Sequence, residues 1–139
     1  MTAYDPQNIF GKILRGEFSS HRVYEDADVL AVMDVFPQSR GHLLVIPKAP
    51  SRNLFDADPA TLSAVMPALQ KLARAVVAAT KADGLRLAQF NEVAAGQTVF
   101  HLHFHLIPMY EGVELGRHGG GKADDAELAA LARAIAAEM

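Results

Sequence analysis

Three histidines occupy alternate positions, His101, His103 and His105, spaced by Leu102 and Phe104 and followed by Leu106 and Ile107. Strict alternation with large apolar residues predicts a β-strand, whose successive side chains point to opposite faces. A strand over residues 101–106 would lay three imidazoles along one face, about 6–7 Å apart, and turn Leu102, Phe104 and Leu106 towards a core. Three readings suit such a row. Imidazoles at i and i+2 can ligate zinc, as in three-histidine catalytic sites, although no carboxylate stands nearby in sequence to complete the set. A metal-free reading is phosphoryl or nucleotidyl transfer, in which one imidazole attacks phosphorus while its neighbours hold the proton and the non-bridging oxygens. A pKa near 6.5 lets neutral and protonated rings coexist near neutrality. Crowding disfavours charging all three together, which keeps a neutral nucleophile beside a potential acid. The third reading is a polar strand face without catalysis.

The chain that must position these rings has 139 residues, 50% hydrophobic and 21% charged. That is the length and balance of one folded domain with a full core. A net charge of −3 leaves no broad basic footprint, so general nucleic-acid binding is disfavoured. A small phosphate-bearing ligand remains open, since backbone N–H groups and a few local cations can hold one. The absence of cysteine excludes disulfides, thiolate catalysis and cysteine zinc sites. No apolar run approaches the roughly 20 residues of a membrane span, and residues 1–5 lack the basic and apolar regions of a signal peptide. A cytoplasmic protein without membrane association is expected.

Ile9, Phe10, Ile13 and Leu14 recur at helical spacing over residues 7–15, behind Asn8 as N-cap and before Gly16 as terminator. Ile9 and Phe10 suit core packing and the wall of a ligand pocket equally well. Residues 21–25 and 29–33 predict a hairpin around residues 26–28. Asp34 follows it, where a carboxylate is more often solvated or a turn cap than catalytic. His42 opens an apolar strand over residues 42–48, buried on both faces and stopped by Pro47; a lone histidine there reads first as structural. Asp58 and Pro59 start a long helix to about Lys81. Its stripe of Leu62, Val65, Met66, Leu69, Leu72 and Val76 faces core or an interface, with a bend expected near Pro67. A fourth strand spans residues 85–90, with Asn91 at its end. The small-residue loop 92–98 follows, where Gly96 either turns successive N–H groups towards an anion or simply connects. Beyond Pro108 the chain turns polar and glycine-rich, ending in Gly119-Gly120-Gly121, which predicts a flexible linker. An alanine-rich helix follows over residues 123–138, with Leu128, Leu131 and Ile135 on one stripe, to dock on the body or on a partner subunit.

Residues 101–107 resemble the His-φ-His-φ-His-φ-φ signature of the histidine triad family, where φ is apolar. The likeness extends over about residues 7–108. It includes Ile9-Phe10-Gly11-Lys12-Ile13, Asp34, Gly41-His42 with Val45-Ile46-Pro47-Lys48, and Asn91-Glu92 with Gly96-Gln97-Thr98-Val99. The chain is most similar to the Hint-like branch, purine nucleoside phosphoramidases that hydrolyse the bond from AMP or GMP to an amine. That resemblance implies an α+β fold: a five-stranded antiparallel sheet with one long helix and short flanking helices, extended to ten strands across a homodimer. It implies a histidine triad domain over residues 1–112, with residues 113–139 as linker and C-terminal helix of the same domain.

By the same resemblance, His103 is the nucleophile, forming a nucleotidyl-histidine that water hydrolyses. His101 orients it through its main-chain carbonyl, His105 contacts the phosphate and assists the leaving group, and His42 completes a relay behind them. Asp34 accepts the ribose hydroxyls. Ile9, Phe10, Val35 and Leu44 sandwich the base, and Asn91, Gln97 and the N–H groups of Thr98 and Val99 line sugar and phosphate. No metal or other cofactor is implied, and the partners are a purine nucleotide and a second copy of the chain. The tail departs from the family pattern, lacking the Trp-Pro ending of eukaryotic Hint proteins, so the leaving-group preference does not carry over. The alternatives are a dinucleoside polyphosphate hydrolase, a nucleotide-binding regulatory module and, last, a three-histidine metalloenzyme.

Overall fold

The computed structural model describes residues 2–117 and 120–139. Five strands, β1 (Arg22–Glu25), β2 (Val29–Met33), β3 (Leu43–Pro47), β4 (Gly84–Ala88) and β5 (Phe104–Met109), form one sheet in the order β1-β2-β3-β5-β4. Every neighbouring pair is antiparallel. Three α-helices complete the expected α+β fold: α1 (Ile9–Leu14), the long α2 (Pro59–Thr80) and α3 (Asp125–Ala136).

The two faces of the sheet carry different layers, and alternation along β2 and β3 sorts the residues between them. Val29, Ala31, Met33, Leu43 and Val45 join Leu102, Phe104 and Leu106 under α2 and α3, in a core that includes Leu69, Leu72, Val76, Leu128, Leu131 and Ile135. Leu30, Val32, Leu44 and Ile46 point the other way, onto Phe10 and Ile13 of α1. Both strands are therefore buried on both faces, as an uninterrupted apolar run requires.

Local signals place the helix ends. Asn8 Oδ1 accepts from Gly11 N at 2.8 Å and Asp58 Oδ1 from Ala60 N at 2.9 Å, each satisfying an orphan donor of the first turn. Gly16 follows α1 at φ +79, whereas α2 stops on Lys81 in the left-handed conformation rather than on a glycine. Pro67 lies inside α2, which continues through it. Met66 falls off the buried stripe, 53% exposed.

Four expectations need correction. The histidine strand begins at Phe104, because β3 meets β5 only over Leu43–Val45; upstream, Leu102 N donates instead to Ser51 O at 2.9 Å. The fourth strand ends at Ala88, short of Asn91. Helix α2 is, by length and composition, apolar enough to cross a membrane. A core helix meets the same two criteria, and the Val65, Leu69, Leu72 and Val76 side chains of α2 are buried in this fold. Finally, the connection to α3 is not a free linker over its described residues: Gly116 N donates to Gln38 O at 2.7 Å and Ala123 N to Val35 O at 2.9 Å. Gly119 lies outside the described residues.

The turn before β3 depends on Gly41, whose φ of +93 suits glycine and whose Cα faces Thr80. A Cβ there would lie 2.7 Å from Thr80 Cγ2 and 3.2 Å from Pro108 Cγ. Gly41→Ala is expected to cost at least about 2 kcal/mol, from backbone strain and the clash together. Urea unfolding should show a lower midpoint at unchanged slope. Adding Thr80→Ser, which deletes only the clashing methyl, should recover part of the loss.

Candidate active site

The α1 face of the sheet carries the reactive side chains. Register pairs His105 with Leu44 of β3 on one side and Ala88 of the edge strand β4 on the other. His42 precedes β3 and lies fully buried behind it. The His103 and His105 ring centroids are 5.0 Å apart, and the Phe10 ring packs edge-on against His103 at 4.7 Å.

The hydrogen-bond partners assign a tautomer to each ring, because a carbonyl only accepts and a peptide N–H only donates. His103 Nδ1 lies 2.6 Å from His101 O, so Nδ1 carries the proton and the lone pair of the neutral ring is on Nε2. His101 Nε2 donates to Pro47 O at 2.7 Å, which leaves Nδ1 to accept from the Tyr4 hydroxyl at 2.7 Å. His42 Nδ1 accepts from Gln38 N at 3.0 Å, which puts its proton on Nε2. That Nε2 lies 2.9 Å from His105 Nδ1 and 3.5 Å from Asp34 Oδ2. Donation to His105 Nδ1 in turn leaves the His105 proton on Nε2. The cluster thus pairs an unprotonated Nε2 on His103 with a protonated Nε2 on His105.

Beside these rings lies a cavity of about 490 Å³. Ile9, Phe10, Asp34, Val35, Leu44, Thr98, Val99, His103 and His105 all line it, so the fold brings these expected residues together. Ile13, Phe18 and Phe36 line it as well; nothing in their local pattern distinguished them from packing residues. His42 and His101 stand behind the wall.

Asn91 and Gln97 are placed differently. The Asn91 amide is engaged with Gln89 and with Leu54 N. Gln97 is buried, and all four hydrogen-bonding positions of its amide are filled: Nε2 donates to Arg52 O and Val99 O, and Oε1 accepts from Glu92 N and Asn53 Nδ2. Its side chain therefore scaffolds the loop that ends in Thr98 and Val99 and does not itself line the cavity. Arg52 completes this scaffold with a two-pronged ion pair to Glu92, at 2.9 Å on both contacts, and stacks over Phe100. The guanidinium holds the Glu92 carboxyl below the usual carboxylate range. Glu92 itself sits at φ +74. Gly96 N and Gln97 N bond back to Val93 O and Glu92 O, so the turn at Gly96 closes on itself.

Asp34, His42 and His105 offer ligand atoms within 4.8 Å of one another, the one constellation among the described residues resembling a two-histidine, one-carboxylate metal site. The His42 tautomer opposes that use. Ligation through Nε2 needs a lone pair there and a proton on Nδ1, but Nδ1 faces the Gln38 N–H.

Burial pushes the His101 pKa below its ordinary 6.5, opposed by the bond to Pro47 O. A base with a depressed folded pKa binds protons less readily folded than unfolded, so acid favours unfolding. The stability from neutral His101 is fully present above pH 6.5 and is lost as pH falls from there through the folded value. Urea titrations between about pH 8 and 5 should show the wild-type losing stability over this window. His101→Asn should lose less of its own.

A model of the HIT domain matches residues 15–112 of the chain. Adenylylsulfatase HINT3 of Arabidopsis thaliana is 39% identical over 103 residues, covering 74% of this chain and 52% of that protein. The crystal structure of a Hit-like protein involved in cell-cycle regulation from Bartonella henselae is 52% identical with a TM-score of 0.92, covering 99% of this chain and 100% of that one. A hypothetical histidine triad nucleotide-binding protein from Sulfolobus tokodaii is 34% identical with a TM-score of 0.85, covering 91% of this chain and 88% of that one.

Proposed function

This chain belongs to the HIT domain family, and on that premise we propose that it is a nucleotide hydrolase acting on purine nucleoside 5′-phosphoramidates through a covalent adduct on His103. The observation that carries the reading is the 2.6 Å bond from His103 Nδ1 to His101 O, which leaves the Nε2 lone pair as nucleophile. The base enters between Ile9, Phe10, Val35 and Leu44, Asp34 accepts the ribose hydroxyls, and the N–H groups of Thr98 and Val99 receive the phosphate. His103 Nε2 forms a bond to phosphorus as the P–N bond breaks. The bonding pair leaves with the amine nitrogen, which takes the proton from His105 Nε2. Water then attacks the adduct, gives its proton back to His105 Nε2, and releases His103 neutral. No step needs a metal.

The test is hydrolysis of adenosine 5′-phosphoramidate by purified protein in excess EDTA. Turnover that disappears in His103→Ala supports the proposal. Turnover only after added zinc overturns the metal-free mechanism, and none under either condition overturns the substrate assignment.

The same reading makes the protein a homodimer with a continuous ten-stranded sheet. It is supported by β4, an edge strand with Leu87 exposed. Light scattering should give twice the 15.0 kDa chain mass; a monomer at micromolar concentration overturns it.

A further inference from the structure

We propose that residues 113–117, beyond β5, are a strap that sets the direction of the proton relay, with Gly116 and Gln38 as its positioning residues. The inference rests on His105 acting as the acid proposed above. In the relay, the Gln38 N–H at His42 Nδ1 is what puts the His42 proton on Nε2. His42 then donates to His105 Nδ1, and His105 presents N–H at Nε2. Should the Gln38 N–H withdraw, the opposite register opens. His42 holds its proton on Nδ1, its Nε2 accepts from His105 Nδ1–H, and His105 Nε2 is left bare. The rings stay in place, but the acid is gone.

The placement of Gln38 is therefore decisive; its N–H lies in the Pro37–Gln38 peptide, and the strap holds the residue from its other side, at the Gln38–Ser39 peptide. Its carbonyl accepts from Gly116 N at 2.7 Å, and its side-chain Nε2 donates to Gly116 O at 3.2 Å. These backbones approach so closely that a Cβ on Gly116 would lie 2.9 Å from Gln38 O. The neighbouring turn residues are held from elsewhere: Ser39 Oγ donates to Pro108 O at 2.6 Å, and the Tyr110 hydroxyl to Arg40 O at 2.6 Å. Further along the chain, Ala123 N donates to Val35 O, and Leu128 and Ile135 of α3 are fully buried. Gly116, Ala123 and α3 lie beyond the matched residues 15–112, whereas the turn that Gly116 grips lies within them. Gly116 is exposed, and its backbone is not in the left-handed region, so alanine there must displace the Gln38 backbone but opens no cavity in the core.

A leaving group that must be protonated reports on the acid, and one that leaves as a stable anion does not. The experiment compares wild-type and Gly116→Ala full-length protein on adenosine 5′-phosphoramidate and on adenylyl sulfate, alongside 15N spectra of the histidine rings. Phosphoramidate turnover should fall about tenfold or more, while adenylyl sulfate turnover and AMP affinity stay within about twofold. The His42 pattern should move away from a proton on Nε2. Gln38→Ala, which removes only the side-chain half of the clamp, should give a smaller change in the same direction. Equal losses on both substrates, or an unchanged His42 pattern in Gly116→Ala, overturn the inference. If wild-type protein turns over neither substrate, the functional reading fails, and the ring spectra alone decide whether the strap sets the tautomer.

Discussion

His103→Ala is expected to lower turnover of a nucleoside phosphoramidate by at least about 10⁴-fold while AMP affinity stays within a few fold. At about 1.4 kcal/mol per factor of ten, that is roughly 5–6 kcal/mol of transition-state stabilisation. The split follows from where the ring contributes. In the proposed mechanism its Nε2 bonds to phosphorus only along the reaction path, whereas ground-state binding is assigned to the apolar walls and Asp34. The ring is also packed by Phe10 and tied to His101 O, so alanine opens a small void but leaves the rest of the cavity lining in place. Single-turnover kinetics and equilibrium AMP binding measure the two effects separately. A parallel loss of both would make His103 a structural residue and end the covalent mechanism. Wild-type protein quenched during turnover should carry an acid-labile nucleotide that the variant lacks.

Ile135→Ala is expected to cost about 3 kcal/mol, within the 2–5 kcal/mol typical of emptying a filled aliphatic site. Ile135 is 0% exposed and belongs to the same core as Leu72, Val76 and Met33. Such a loss is a large share of the 5–15 kcal/mol by which domains are usually stable. It should appear as a lower urea midpoint at unchanged slope. A change below about 0.5 kcal/mol, the level of a surface substitution, would mean that α3 is not docked in solution. The same packing predicts that cutting the chain after residue 112 bares the core face that Leu128, Leu131 and Ile135 cover.

Much of the scaffold was legible because it is written in periodicity and caps. The hairpin, the doubly buried third strand, the Asp58-Pro59 start of α2 and the Leu128-Leu131-Ile135 stripe are each properties of one segment. The likeness to the histidine triad pattern also named nine residues that now line one cavity. Asn91 and Gln97 show where that stops. A family pattern says that an amide stands there, but whether it meets ligand or backbone depends on partners up to 45 residues away, such as Arg52 O.

The sequence by itself determined that His103 and His105 share a face and that imidazoles stand there to carry protons, since both follow from residue type and local spacing. Only the tertiary structure decided which nitrogen of each imidazole bears the proton. That choice belongs to the opposing group, and the opposing groups are His101 O, Pro47 O and Gln38 N. Two of them come from a strand end and a turn brought close by sheet pairing, and all are main-chain atoms that every residue type carries alike. Sequence therefore located the pair of rings on the cavity, and tertiary packing gave it a direction.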